Sequence, residues 1–302
     1  MLQVIQVELI RKPKWLRINP PGGENYSKIK QTLRFGNLHT VCEEARCPNI
    51  CECWGAGTAT IMIMGDTCSR RCRFCAVNTG KPPLLDPYEP SRVARAIKDW
   101  GLKYVVITSV CRDDLRDGGA DHINKTIKAI KSLSPRTVVE ILIPDFNGKI
   151  DSIKKIVESG SEVISHNIET VRRLTTKVRD FRASYEQSLS VLKNCKAMAP
   201  SVYTKSSIML GLGEHEDEII ETMNDLRSAG VAIVTMGQYL QPTYGHLPVV
   251  EYIRPEKFVT LGDIARSLGF AYVASGPLVR SSYKASEFFL EKELTEKIDI
   301  HS

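Results

Sequence analysis

The chain has 302 residues, 42% hydrophobic and 25% charged, with a formal net charge of +6 from 41 basic and 35 acidic residues. That length buries a core the size of one large domain or two ordinary ones, and the composition excludes a disordered or fibrous chain. No apolar run reaches the roughly eighteen residues a membrane span needs, and no Lys/Arg block is long enough to mark a nucleic-acid-binding arm.

The first 57 residues are rich in Pro, Gly and Cys, with little sustained periodicity, and are read as an N-terminal extension, 1–57. Its opening, MLQVIQVELIRKPKW, has Glu8 inside the apolar part and no small-residue cleavage site, so it does not read as a secretory signal. From residue 58 onward, short apolar runs alternate with amphipathic stretches. Strands are predicted over 58–65, 103–110, 137–144, 161–169, 202–210 and 231–240, with helices over 91–100, 121–133, 150–159, 185–198 and 214–229 between them. A further helix, 255–268, leads to a short strand, 271–276. The first helix is predicted to start on an N-cap, Ser91, and to stop at Gly101. The helix over 214–229 opens on acids, which suit the positive end of the helix dipole, and closes on Gly230.

Strand–helix alternation of this length predicts a parallel sheet with crossover helices. Six β/α units are too few for a closed eight-stranded barrel. The expected fold is therefore α/β, a partial (β/α)6 TIM-like barrel over 58–277. The Cys-rich N-terminal extension and a C-terminal tail, 278–302, would close over its mouth. Chemistry in such barrels sits at the C-terminal ends of the strands.

Seven of the nine cysteines lie between Cys42 and Cys75. Without a secretion signal the expected setting is cytoplasmic, where thiols stay reduced, and clustering of this kind points to metal. Cys68, Cys72 and Cys75, in CSRRCRFC, have the spacing C-x3-C-x2-C just after the first predicted strand. Closely spaced thiols on one loop can share an iron–sulfur cluster. Three of them on a four-iron cluster leave one iron open to a small molecule. The alternative is zinc completed by a distant residue, although structural zinc favours paired C-x2-4-C ligands. A zinc protein docking nucleic acid would also want a basic stripe interleaved with aromatics, and the chain has none.

CSRRCRFC resembles the signature of the radical S-adenosylmethionine (SAM) superfamily, with Phe74 in its aromatic slot before the last cysteine. The resemblance implies a [4Fe-4S] cluster whose open iron chelates SAM, and a 5′-deoxyadenosyl radical made by one-electron cleavage of the sulfonium. The partial barrel is also that superfamily's usual fold.

Cys42, Cys47 and Cys53 give C-x4-C-x5-C in LHTVCEEARCPNICECW, which closely resembles a signature of the lipoyl synthase family. KPKWLRINPP, VVITSVCRDDLRDGGADH, HNIETV, MLGLGE, QYLQPTYGHLPVVEY and GPLVRSSYKA look like that family's segments in the family's order, over roughly residues 12–289. The resemblance implies an auxiliary [4Fe-4S] cluster on Cys42, Cys47 and Cys53, with Ser282 of RSSYKA as fourth ligand. An alkoxide is a harder ligand than a thiolate and fits such clusters less well, so the iron it holds should be released more easily. The implied reaction is the final step of lipoate biosynthesis. Two sulfurs enter at C6 and C8 of an octanoyl chain on a lysine of a lipoyl-carrier domain or the glycine-cleavage H protein. The implied partners are that acidic carrier, an electron donor such as ferredoxin or flavodoxin, and an iron–sulfur carrier that rebuilds the auxiliary cluster. Neither nucleic acid nor membrane is expected.

Other expectations are local. Asn167 and Glu169, ending the fourth strand, should bond ribose hydroxyls of SAM, and Lys205 should pair with its carboxylate. The DGGA run at 117–120 resembles a glycine-rich SAM-backing loop. Cys51 and Cys111 depart from the family pattern, and both are read as thiols without a role. Cys195 is read as core. No pair of histidines has metal spacing, and His166 alone falls near the mouth.

Overall fold

The computed structural model describes residues 11–17, 24–45, 47, 49–55, 60–282 and 287. The chain enters through helix α1 (Glu24–Phe35), strand β1 (His39–Thr40) and the short helices α2 (Val41–Glu44) and α3 (Ile50–Gly55). Strands β2 (Thr60–Ile63), β3 (Thr67–Cys68) and β4 (Asn78–Thr79) follow, then α4 (Glu89–Trp100), β5 (Tyr104–Ser109) and α5 (Ala120–Leu133). Next come β6 (Val138–Leu142), α6 (Ile150–Val157), β7 (Val163–Ser165), α7 (Thr175–Val178) and α8 (Tyr185–Met198). The last elements are β8 (Tyr203–Leu210), α9 (Glu216–Ser228), β9 (Ile233–Gln238), α10 (Pro255–Ser267) and β10 (Tyr272–Gly276).

The main sheet has the order β1-β2-β5-β6-β7-β8-β9-β10. All its pairings are parallel except the first, in which His39 faces Met62 and Thr40 faces Ile61. From β2 onward each strand of this sheet lies beside the strand of the same sheet that follows it in the chain, with a helix between them. β2 and β10 do not pair, so the barrel stays open as expected. Parallel strands covered on both faces lose their alternation, and all of β2 and β9 is buried. The core has two parts. One gathers Ile61, Ile63, Ile97, Ile107 and Ile127, and the other Met223, Leu226, Val234, Met236 and Phe258.

Element boundaries follow local chemistry. Helix α4 starts two residues before the predicted Ser91 cap, because Pro90 suits the first turn. The Ser91 hydroxyl bonds back to the Tyr88 carbonyl at 2.8 Å. Gly101 ends the helix as predicted, at φ 65°, a left-handed conformation that glycine adopts freely. The fourth strand is much shorter than the predicted 161–169. It stops at Ser165, and the chain then turns through Glu169 at φ 70°. The described part of the N-terminal extension carries helices that its composition did not suggest. Ile29 and Leu33 of α1 are buried, and Tyr26 stacks on Trp54 of α3 with ring centroids 4.9 Å apart. Through β1 the extension is part of the main sheet.

Candidate active site

A cavity of about 560 Å³ opens at the C-terminal ends of the strands. Its wall takes residues that end or follow β5, β6, β7, β8 and β9, among them Ser109, Cys111, Asp145, Asn167, Glu169 and Gln238. The same wall carries Cys68, Cys72, Phe74 and Cys75, together with Cys42 and Cys47 from the extension and Arg280, Ser281 and Ser282 from the tail. Residues some 240 positions apart in the chain thus face one space. Cys53 lies on α3, packed against the first part of the core, and is not among the lining residues. Cys51, half-buried on the same helix, does not line the cavity either.

The loop carrying the second triplet is clamped at its base. Strands β3 and β4 form a two-residue parallel ladder, Thr67 to Asn78 and Cys68 to Thr79. Arg70 is buried in the loop, with Asp145 at 2.7 Å and Asp113 at 2.8 Å. Burial alone would push the Asp145 carboxyl up. The hydrogen bonds and charge of Arg70 override it and hold Asp145 below the ordinary carboxylate range. The sulfurs are supplied with backbone donors. Cys68 Sγ accepts from the N–H groups of Arg70 at 3.4 Å and Cys111 at 3.3 Å, and Cys72 Sγ from Asp180 at 3.3 Å. Cys111 therefore touches a sulfur of the triplet, contrary to its reading as a thiol without a role. The Cys111 thiol also bonds to Cys68 and is the main reason that the Cys68 thiol is pulled down to about 6. Burial instead pushes Cys72 up to about 11 and Cys75 to about 12. Any metal loading must therefore displace protons from these thiols.

The first residues of the tail, 278–282, are tied to the extension and to β9. The Asn49 amide donates to the Leu278 carbonyl at 2.6 Å, and Arg280 Nη1 to the carbonyls of Val279 at 2.7 Å and Gln238 at 3.1 Å. At Gly237 the tail passes so close that a Cβ would stand 1.9 Å from the Val279 carbonyl oxygen. Arg280 is half-buried, its bonding partners among the described residues are carbonyls, and desolvation lowers its pKa against the pull of Cys47.

Around β7 the wall is polar. Burial pushes the Glu169 carboxyl up, against Arg179 and Asn167, which favour its charged form. Its left-handed backbone is held by a bond from Glu169 N–H to the Ser207 carbonyl and one from Met209 N–H to its own carbonyl. Asn167 Oδ1 is buried without a hydrogen-bond partner among the described residues. His166 is held neutral, its pKa lowered by burial to about 4. It bonds to the Ile143 carbonyl at 2.9 Å and faces Ser188 Oγ at 3.0 Å. Ser188 Oγ in turn accepts from Arg179 Nη1 at 2.7 Å. Arg179 forms no ion pair among the described residues, and its place on the cavity wall gave no signal in the sequence.

Two expectations need correction. Lys205 does not reach the cavity. It sits near the N-terminal end of β8, and its ammonium is taken by Glu140 at 2.9 Å, which also accepts from Tyr104 Oη at 2.6 Å. The side chains of Lys205 and Glu140 are 3% and 1% exposed. A Lys205→Met substitution would thus strand a buried carboxylate, and chemical denaturation should show a loss of about 3–5 kcal/mol. Adding Glu140→Gln should recover most of that loss. The DGGA run is the second correction. Gly118 and Gly119 turn the chain into α5 at φ 64° and 87°, with Gly119 packed on Met64, and neither lines the cavity.

The lining suits iron–sulfur clusters and SAM better than single ions. Among the described residues no group of His, Cys, Asp or Glu could hold one metal ion. The thiols border a space and do not converge on a point, as a polynuclear cluster requires. Two polar groups add to this. The side chain of buried Trp54 hydrogen-bonds toward Cys42 and favours its charged form, whereas burial raises that thiol to about 11. The unpartnered Asn167 Oδ1 suits a donor on a bound small molecule.

The chain is similar to known proteins over nearly its whole length. The family model of the Radical SAM superfamily matches residues 62–226, and that of the N-terminal domain of lipoyl synthase of the Radical_SAM family matches residues 2–47. The mitochondrial lipoyl synthase of Rattus norvegicus is 56% identical over 296 residues, covering 96% of this chain and 79% of the relative. The lipoyl synthase of Anaeromyxobacter sp. (strain Fw109-5) is 55% identical over 288 residues, covering 95% and 98%. Among solved structures, methylornithine synthase superposes with TM-score 0.54 at 13% identity, covering 84% of this chain and 83% of that one. The [FeFe]-hydrogenase maturase HydG superposes with TM-score 0.54 at 14% identity, covering 87% and 75%. At such identities the structural likeness speaks for the fold alone.

Proposed function

The chain belongs to the lipoyl synthase family of radical SAM enzymes, and from that premise we propose a role for each group on the cavity wall. The enzyme inserts sulfur into a protein-bound octanoyl chain and uses SAM and [4Fe-4S] clusters. In our assignment Cys68, Cys72 and Cys75 hold the SAM-binding cluster, and Cys42, Cys47, Cys53 and Ser282 hold the auxiliary one. When bound, the two clusters supply a one-electron reductant for the SAM sulfonium and sulfur for the carbon radicals that follow. The observation that carries the reading is the single cavity wall bearing residues of both triplets and of the RSSYKA tail. Cys53 enters on its place in the family signature.

The chain's own residues do the positioning. The N–H donors from Arg70, Cys111 and Asp180 stabilise thiolate sulfur, as hydrogen bonds to cluster sulfurs do generally. Phe74 packs the loop against the second part of the core. Asn167 and Glu169 are our candidates for the ribose hydroxyls. With Lys205 withdrawn, Arg179 is the unpaired cation we assign to the SAM carboxylate. Apolar wall residues such as Val110, Ile143 and Ile208 suit an aliphatic chain and exclude water from the reacting carbons.

The division into 1–57, 58–277 and 278–302 is on this reading a division of labour: auxiliary ligands, radical generation, and the last ligand. We place the enzyme in the cytoplasm, a compartment that keeps cysteine thiols reduced. An electron donor and an iron–sulfur carrier act with it. Among the described residues no helix is long and apolar enough to cross a membrane.

Anaerobic reconstitution, iron counting and turnover on an octanoyl-lysine peptide with SAM test the ligand assignment. About eight irons per chain and lipoyl product are expected. A single cluster, or zinc, would overturn it. Gly237→Ala should act through the tail, because the new methyl displaces the Val279 carbonyl and with it Ser282. SAM cleavage should persist while lipoyl formation falls about a hundredfold, the size of effect that misplacing a reacting group by an ångström can have.

A further inference from the structure

The outer face of the Cys68–Cys75 loop is basic and aromatic. Arg71 and Arg73 flank Cys72 in sequence, and both are exposed. Arg71 N–H bonds to Asp180 Oδ2 at 2.8 Å, Arg73 N–H to the Val178 carbonyl at 2.9 Å, and Leu247 N–H to the Arg73 carbonyl at 3.1 Å. Three segments thereby form one surface. They contribute exposed Lys177 and the rings of Phe181 and Tyr244, 87% and 88% exposed. The acids beside them are already engaged: Asp180 by Arg182, and Asp113 by Arg70 and Arg182. Arg71, Arg73 and Lys177 form no ion pair among the described residues.

Two large exposed rings, Phe181 with the Arg182 guanidinium 5.0 Å from its centroid, beside the unpaired cations have the composition of an interface anchor rather than of ordinary surface. The charge selects an acidic partner. The position selects its kind. Asp180, next to Phe181, donates its N–H to Cys72 Sγ, and His246, two residues from Tyr244, bonds through Nε2 to the Cys75 carbonyl at 2.9 Å. A protein seated here is separated from the thiol ligands by one layer of chain. Electron transfer needs such closeness, whereas a carrier delivering an acyl-lysine arm needs the cavity opening.

We infer that this face docks a small acidic one-electron carrier, with a flavin or iron–sulfur centre, that reduces the cluster on the second triplet. Each transfer oxidises the carrier by one electron and delivers that electron for the cleavage of one SAM. The inference rests on the assignment of Cys68, Cys72 and Cys75 as the SAM-cluster ligands.

Two double variants of the reconstituted enzyme test it: Arg71→Glu with Lys177→Glu, and Phe181→Ala with Tyr244→Ala. SAM cleavage would be driven either by reduced flavodoxin or by dithionite. The flavodoxin concentration giving half-maximal rate should rise about tenfold or more in the charge variant, and its salt dependence should weaken. The aromatic variant should shift it in the same direction. Dithionite-driven cleavage, iron content and KM for an octanoylated carrier domain should match the parent. Unchanged flavodoxin dependence in both variants would overturn the inference. So would a raised KM for the carrier domain, which would give the face to the substrate protein, and so would loss of the dithionite-driven rate. A parent enzyme that cleaves no SAM with dithionite would instead refute the cluster assignment beneath it.

Discussion

Cys72→Ala should reduce SAM cleavage to background in a protein that still folds. The thiol faces the cavity and makes one backbone N–H contact, to Asp180 at 3.3 Å. Losing that contact costs about 1 kcal/mol, while the β3–β4 ladder and the Arg70 ion pairs that shape the loop are untouched. The ligand set suffers far more. Two thiolates do not retain a cluster that needs three, so iron should fall from about eight to about four atoms per chain. Lipoyl formation should stop as well, because sulfur has no carbon radical to meet. Deoxyadenosine release, iron analysis and a thermal midpoint within a few degrees of the parent check the three parts separately. Cleavage that survived the substitution would remove Cys72 from the triplet.

That substitution tests the part of the site most legible in the sequence. Ligands from one loop are close because the chain is short between them, so C-x3-C-x2-C announces itself. The barrel was legible for a similar reason. Apolar periodicity reports local burial, and Gly101 marks a helix end by backbone geometry alone, whereas Pro90 at the other end was passed over for Ser91. Long-range partners leave no such trace. Lys205 looked free for a carboxylate because Glu140, 65 positions away, carries no mark of pointing at it. Arg179 was passed over because its place on the cavity wall, near Glu169, is a property of the fold. Cys111 serves Cys68 partly through a backbone N–H, which any residue but proline would supply. Helix α1 had a local signal, Tyr26, Ile29 and Leu33 at helical spacing, that the cysteine- and proline-rich composition around it obscured.

Ser282→Ala should separate the two half-reactions, with SAM cleavage at the parental rate and lipoyl product reduced by about a hundredfold or more. The described contacts of the tail do not involve this hydroxyl. Asn49 holds Leu278, Gly237 admits the Val279 carbonyl, and Arg280 bonds to Gln238, all upstream of Ser282. Removing the oxygen therefore deletes a ligand and leaves its scaffold. Ser281 also lines the cavity, so Ser281→Ala is the matched control and should form product normally. If the two serine variants exchanged behaviour, the ligand would be Ser281. Ser282→Cys probes the chemistry of release. A thiolate is the softer ligand and suits iron–sulfur clusters better than an alkoxide, so this variant should keep full iron content and SAM cleavage yet yield lipoyl product more slowly than the parent. Parental product from Ser282→Ala, measured by mass on an octanoyl-lysine peptide, would show that the oxygen is not needed and that the tail acts only by closing the mouth.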